Sequence, residues 1–231
     1  MLINGKDIMI YGGKILSFTS NPSQKDYLYE FLNDNTLTPI RTKNSKRKFK
    51  VISLQIEVQA DTEQQFDIYV GGLTRELTDC EMVMDDRESV IYKGHLQSAP
   101  QIEMITSTSG KLSCEIYAIC EGKEISHAFT NSVIIQVEGN SEAPAILELT
   151  SNVNLQNLQI TGLTKNPIVI LSFLRDSSFI IDGDKCIVKQ NGKNMFSHCD
   201  MWQFPILTPG TAKIELSIPC NAVLKYKPRY V

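Results

Sequence analysis

Apolar and polar residues alternate in several segments of this chain, and this alternation limits its fold more than any other feature. It runs from Ile52 to Val58, and residues 213–218 and 223–227 repeat it. Successive side chains of a β-strand point to opposite faces, so each segment predicts a strand with one buried face. The chain is therefore predicted to be mostly β.

Strand-like segments separated by turn formers extend along both halves of the sequence. In the first half they are residues 14–19, 51–58, 81–84, 90–96, 102–106, 112–120 and 133–137. In the second half they are residues 145–149, 158–160, 168–173, 179–182, 186–189, 212–217 and 223–226. Asp182-Gly183 and Asn191-Gly192 are tight-turn signals between the later strands, and this spacing is typical of a β-sandwich.

One segment has helical periodicity. Between residues 61 and 77 the apolar side chains recur at i, i+3, i+4, i+7 and i+11, as Phe66, Tyr69, Val70, Leu73 and Leu77. Thr62 and Gln65 predict a capping box at its start. Each glycine of Gly71-Gly72 costs about 1 kcal/mol relative to alanine, so a kink or an early end stays open. Residues 26–32 fit either a helix or a strand.

The polar segment at residues 138–144 (EGNSEAP) contains turn formers and separates two groups of strands. A chain of 231 residues, of which 42% are hydrophobic, can build two packed domains. The sequence therefore predicts an α+β domain with one helix at residues 1–141 and a β-sandwich domain at residues 145–231.

The residues that usually carry catalysis or bind metals are scattered. His95, His127 and His198 lie far apart in sequence, and no phosphate-binding loop or nucleophile elbow is present. Asp182 and Asp184 favour a hairpin turn over a calcium site. The six cysteines include no Cys-x-x-Cys pair, which indicates reduced, mostly buried thiols. We therefore expect no enzymatic activity, no cofactor and no metal.

A basic segment precedes the strand at residues 51–58. It contains Arg41, Lys43, Lys46, Arg47, Lys48 and Lys50. It fits either a solvated hairpin or an electrostatic contact with an acidic partner, and we treat it as a candidate interface. In the whole chain 23 basic residues are outnumbered by 26 acidic ones, which disfavours general nucleic-acid binding. Neither a leader sequence nor a membrane span is evident, so synthesis in the cytoplasm without membrane insertion is expected.

Trp202 is the chain's one tryptophan, and it lies among apolar neighbours in residues 198–207 (HCDMWQFPIL). A lone tryptophan in such a setting favours an aromatic anchor in the core. The alternative is an exposed platform for a sugar ring.

The segments at residues 202–216 (WQFPILTPGTAKIEL) and 223–231 (VLKYKPRYV) resemble the carboxyl end of siphophage distal tail proteins. In that family a Pro-Gly turn, here Pro209-Gly210, leads into an alternating strand, and the chain stops in a Tyr-x-Pro-Arg-Tyr-like strand. Residues 3–6 (INGK), 47–58, 62–66 (TEQQF) and 91–94 (IYKG) extend the resemblance in the same order along both domains.

The resemblance implies a tail-tip or baseplate hub. Its amino-terminal domain would form a hexameric ring around the tail channel, with a galectin-like β-sandwich outside, and any DNA contact would occur only in the tail lumen. The expected partners are other copies of the chain, the tail tube protein and the tail-tip, baseplate or receptor-binding proteins of the virion. Two alternatives remain: a carbohydrate-binding β-sandwich protein for host cell-wall polysaccharide, with Trp202 as platform, and a tail tube subunit.

Overall fold

The computed structural model describes residues 1–22 and 49–231, together with the backbone of two short strands at 29–30 and 40–41. Antiparallel strands make up most of it, so the predicted mostly β fold is confirmed. The chain divides into two compact units, Met1–Glu121 with Val231, and Gly122–Tyr230. This division precedes the polar segment 138–144, because strands Ile125–Phe129 and Ser132–Val137 pair with strands of the second unit.

The first unit is an α+β arrangement. Its elements are β1 Leu2–Ile3, β2 Lys6–Asp7, a 3-10 helix Ile8–Tyr11, β3 Gly13–Asn21, β4 Tyr29–Glu30, β5 Ile40–Arg41, β6 Lys50–Gln59, α1 Glu63–Thr78, β7 Asp79–Val83, β8 Val90–Leu96, β9 Gln101–Thr106 and β10 Ser109–Gly122. The main sheet has the order β2-β1-β7-β8-β10-β6-β3, β9 pairs with β10, and β4 pairs with β5. Apart from the backbone strand at 29–30, the segment 26–32 lies outside the described residues.

Strand β6 is central to this sheet, and its alternating sequence explains why. Ile52, Leu54, Ile56 and Val58 are buried, whereas the residues that alternate with them are half-buried. Strand β10 pairs with β6 in a register that sets Ile116 opposite Ile52 and Cys114 opposite Leu54. The alternation in the sequence therefore predicts the buried face of the sheet correctly.

Helix α1 begins at the predicted cap. The backbone N–H of Gln65 donates to Thr62 Oγ1 at 3.2 Å. The reciprocal bond goes from the Asp61 N–H to Gln65 Oε1, one residue before the position that a standard capping box uses. The helix continues through Gly71-Gly72 to Thr78 and buries Phe66, Val70, Leu73, Glu76 and Leu77. Packing of this face outweighs the propensity cost of the two glycines.

The second unit is a β-sandwich. Its elements are β11 Ile125–Phe129, β12 Ser132–Val137, β13 Ala143–Ser151, β14 Leu155–Thr161, β15 Ile168–Phe173, β16 Ser177–Asp182, β17 Ile187–Gln190, β18 Lys193–Asn194, a 3-10 helix Phe196–His198, β19 Cys199–Asp200, β20 Ile206–Leu207, β21 Gly210–Leu216, β22 Asn221–Tyr226 and β23 Arg229–Tyr230. One sheet has the order β11-β22-β13-β16-β17-β18, with β20 on β13, and the other has the order β12-β21-β14-β15-β19. Both sheets contribute to one apolar core.

Three turns in this unit follow from their sequences. Asp182 Oδ1 accepts from the N–H groups of Asp184 and Lys185, so this motif forms the predicted turn. Asn191 and Gly192 both have positive φ, as a two-residue hairpin between β17 and β18 requires. At Pro209-Gly210 the chain passes from β20 in one sheet to β21 in the other. Strands β21 and β22 lie in opposite sheets.

Candidate functional site

The potentially catalytic side chains of the described residues do not converge. Within residues 1–22 and 49–231, no group of three or more His, Cys, Asp or Glu side chains is placed to hold a metal ion. His95 lies beside Asp79 on the surface, and His127 stacks on Tyr226 in the second unit. His198 ends a short 3-10 helix.

The cysteines are free, and five of the six are buried. Burial raises the pKa of Cys80 to about 11, of Cys114 to about 12 and of Cys199 to about 11. Because the thiolate is the reactive form, these groups are inert at neutral pH. Cys186 is the exposed cysteine, and it lies between β16 and β17. The prediction that the thiols are mostly buried is confirmed, and their reduced state stays a prediction.

Glu76 is a buried carboxylate of helix α1 that binds the first residues of the chain. Lys6 Nζ donates to it at 2.6 Å, Asn4 Nδ2 at 3.0 Å and the Tyr11 hydroxyl at 3.2 Å. These bonds, above all that from Lys6, lower the pKa of Glu76 to about 2. The cluster attaches β1 and β2 to the helix. Asn4 and Lys6 belong to the Ile-Asn-Gly-Lys motif of the sequence, although the motif alone did not identify their partner.

Most of the basic candidate interface lies outside the described residues. This applies to Lys43, Lys46, Arg47 and Lys48, while Arg41 is described only as backbone of β5. Lys50 begins β6 opposite Ala118 and is half-buried. The interface stays a prediction.

Strand β9 is exposed along its whole length, which the sequence did not indicate. All six of its residues are exposed, among them Ile102, Met104 and Ile105. In the part of the chain that the structure describes, β9 pairs only with β10. An edge strand with unpaired backbone groups and apolar side chains is a template for a strand of another chain.

Trp202 is exposed over 85% of its surface, so the prediction of a core anchor is wrong. The aromatic and apolar neighbours on which that prediction was based take the buried role instead. Met201 and Phe204 pack against the sandwich core, and Pro205 is buried. The tryptophan lies between these anchors with its side chain directed to solvent.

Two adjoining recesses on the sandwich share Thr164, Lys165 and Gln203, and we call them together the Trp202 groove because Trp202 lines one of them. The smaller has a volume of about 300 Å³ and is lined by Thr164, Lys165, Asn166, Trp202 and Gln203. The larger, of about 700 Å³, shares Thr164, Lys165 and Gln203 with it and continues past Gly162, Ile206, Pro209 and Lys213. The groove therefore has an aromatic end and mainly polar walls.

The walls of the Trp202 groove are held by backbone contacts. The Ile206 N–H donates to the Leu163 carbonyl oxygen at 3.0 Å, which joins the segment after Trp202 to the opposite turn. Pro205 accepts from the Ala145 N–H at 3.0 Å. Leu163 is buried in the core, and Gly162 lies close to the Lys213 carbonyl. The exposure of Trp202 is thus imposed by a well-connected loop.

A known family model matches most of the second unit. The model described as siphovirus-type tail component, C-terminal domain, matches residues 138–230. Residues 138–230, which we call the tail component domain after this model, are similar to that family. The tail component domain contains the Trp202 groove and the carboxyl-terminal motifs that resemble distal tail proteins, so that resemblance is confirmed. The comparison with curated proteins gives no match.

Solved structures extend the likeness beyond the tail component domain. The chain is similar to the Dit protein (gp 19.1) of phage SPP1, with a TM-score of 0.81 and 12% identity, over 100% of this chain and 98% of that one. It is also similar to a chain of the phage p2 baseplate in its activated conformation with Sr, with a TM-score of 0.50 and 11% identity, over 96% of this chain and 92% of that one. At such low identity the likeness is one of fold.

Proposed function

We propose that this protein is the distal tail hub subunit of a siphophage, and that six copies form a ring joining the tail tube to the host-adsorption apparatus. The tail component domain supports a role in the virion tail. The fold supports the hub, since SPP1 Dit is described as a paradigm of the hub adsorption apparatus in phages that infect Gram-positive bacteria. The galectin-like character of the sandwich and synthesis in the host cytoplasm belong to the same proposal.

The main support for a ring is the exposed strand β9. A monomeric soluble protein rarely leaves a flat apolar edge strand open, because such an edge pairs with other chains. Ile102 and Met104 lie on one face of β9, and the exposed Ile105 is the extra residue where the register shifts between Met104 and Thr106. An edge that pairs with a different surface of the next copy gives a head-to-tail contact, and such contacts form a ring where the rotation between copies closes.

Measurement of mass by light scattering, together with negative-stain microscopy, tests the ring. The purified wild-type protein is expected to have the mass of six chains and to form single or paired rings. Ile105→Lys places a charge on β9 and is expected to yield monomers. Since Ile105 is 61% exposed, the variant should keep the wild-type circular dichroism spectrum.

Ile134→Lys is the matched control for this experiment. Ile134 is also a strand isoleucine and is 67% exposed, but it lies on β12 of the second unit. The ring should survive this change. A wild-type protein that stays monomeric, alone and with tail partners, would sink the proposal, and stacking into long tubes would favour a tail tube subunit instead.

A further inference from the structure

We propose that the Trp202 groove binds a neutral oligosaccharide, with one sugar ring stacked on the indole of Trp202. The site lies wholly within the tail component domain, so it does not depend on ring formation by the first unit. The groove has three properties that suit such a ligand: an exposed aromatic face, unpaired polar side chains beside it and a balanced charge.

Trp202 supplies the aromatic face. Exposure of 85% of a tryptophan leaves a large apolar surface in water, which is unfavourable unless a partner covers it. One face of a pyranose ring presents C–H groups, and a flat indole matches that face in shape and polarity. The backbone bond from Ile206 to Leu163 holds the loop in place, so binding requires little ordering.

The polar side chains beside the indole are free to bind a ligand. Within the described residues, Lys165, Asn166 and Gln203 make no side-chain hydrogen bond or ion pair, and the indole N–H of Trp202 has no acceptor. An amide offers both a donor and an acceptor, whereas an ammonium or indole N–H only donates. Sugar hydroxyls also donate and accept, so they can use all of these groups at once.

The charges around the groove favour a neutral ligand. Lys165 and Glu142 both line the larger recess. Lys213, which lines the same recess, forms an ion pair with Glu215 at 2.7 Å. Two cations and two anions cancel, which is unsuitable for attracting a polyanion such as nucleic acid. The combined recesses fall within the size range of small-ligand sites and can hold more than one sugar ring.

Fluorescence of the full-length protein tests the site directly, because Trp202 is its only tryptophan. The protein is titrated with chitotriose, cellotriose, maltotriose and lactose, and glycerol at matched osmolality serves as the control. A saturable change in emission is expected with at least one of these sugars. No saturable change with any of them, in a protein shown to be folded by circular dichroism, overturns the proposal.

Calorimetry of variants then locates the binding of whichever sugar responds. Trp202→Ala is expected to lower the affinity at least about tenfold, and Trp202→Phe to restore part of it, because stacking area decides the interaction. Gln203→Ala is expected to lower it about fivefold through one lost hydrogen bond. The controls are Leu174→Ala and Gln156→Ala, exposed residues of the same sandwich outside the groove. Unchanged affinity in Trp202→Ala, or equal losses in the controls, places binding elsewhere and overturns the assignment.

Discussion

The ring of Tyr11 lies against Gly72 of helix α1, where an added Cβ atom would come 2.7 Å from ring atom Cε1. The neighbouring Gly71 faces open space, with nothing within 4 Å of the same position. The Tyr11 ring is not free to move away, because its hydroxyl donates to Glu76 at 3.2 Å. Packing therefore requires a glycine at position 72 but not at position 71.

Alanine at these two positions should have opposite effects on stability. Gly71→Ala is expected to stabilise the protein by about 0.5–1 kcal/mol, since alanine loses less backbone entropy in an exposed helix position. Gly72→Ala is expected to destabilise it by about 1–3 kcal/mol through overpacking. Urea unfolding followed by circular dichroism measures both changes from the shift of the midpoint. Equal gains for the two variants would show that Tyr11 does not constrain the helix.

The Glu76 cluster predicts a loss of stability in acid. The pKa of Glu76 in the folded protein is about 2, against an ordinary value of 4.5. A lowered pKa stabilises the folded state fully above the unfolded value, and this contribution is lost as the pH falls from about 4.5 to about 2. Glu76→Gln should lower the melting temperature at pH 7 and weaken its dependence on pH in this range.

Glu88→Gln is the control for the Glu76 variant, because Glu88 is an exposed carboxylate in the loop before β8. It should leave the melting temperature and its acid dependence as in the wild type. Thermal unfolding measured at intervals between pH 7 and pH 2 compares the three proteins. If Glu76→Gln and wild type lose stability in parallel through this range, the cluster does not control the acid response.

The alternation in the sequence predicted most of the strands because it records which side chains face a core. Helix α1 was equally predictable, since its apolar stripe and Thr62 are local signals. The β-sandwich followed from the spacing of strands and turns. These features depend on residues that lie close together in the sequence, so a single amino-acid sequence is enough to predict them.

Features that depend on distant partners were not predictable in this way. The residues around Trp202 are typical of a buried site, but Met201 and Phe204 pack against the core while Trp202 is exposed. Strand β9 has apolar residues like any buried strand, and only the absence of a second described neighbour leaves it exposed. The grouping of β11 and β12 with the second unit rests on pairing with β22 and β21, more than 70 residues later.

The basic segment is expected to contribute an electrostatic contact within the assembled tail. Reversing the charges of Lys46, Arg47 and Lys48 should weaken association with the tail tube protein about tenfold at low salt. The difference from wild type should shrink near 1 M salt, where screening reduces the range of charges to about 3 Å. Co-sedimentation at both salt concentrations measures this. Lys185→Glu combined with Lys193→Glu, at exposed positions of the second unit, is the control. Assembly and infectivity that survive the triple reversal would leave the segment as a solvated loop.

Replacing Gly162, which lines the Trp202 groove, with alanine is expected to destabilise the protein more than the same change at Gly192. The φ of Gly162 is +92°, and an added Cβ would lie 1.9 Å from the carbonyl oxygen of Lys213. Gly192 has a similar φ of +80° but open space around it. Gly192→Ala therefore isolates the backbone cost, about 1–2 kcal/mol, and Gly162→Ala should cost at least about 2 kcal/mol more because the turn must move off β21. Denaturant unfolding compares the two variants. The same turn contains Thr164, Lys165 and Asn166, so a folded Gly162→Ala protein should also show altered Trp202 emission. If Gly162→Ala and Gly192→Ala destabilise the protein equally and Trp202 emission is unchanged, the close approach to Lys213 does not shape the groove.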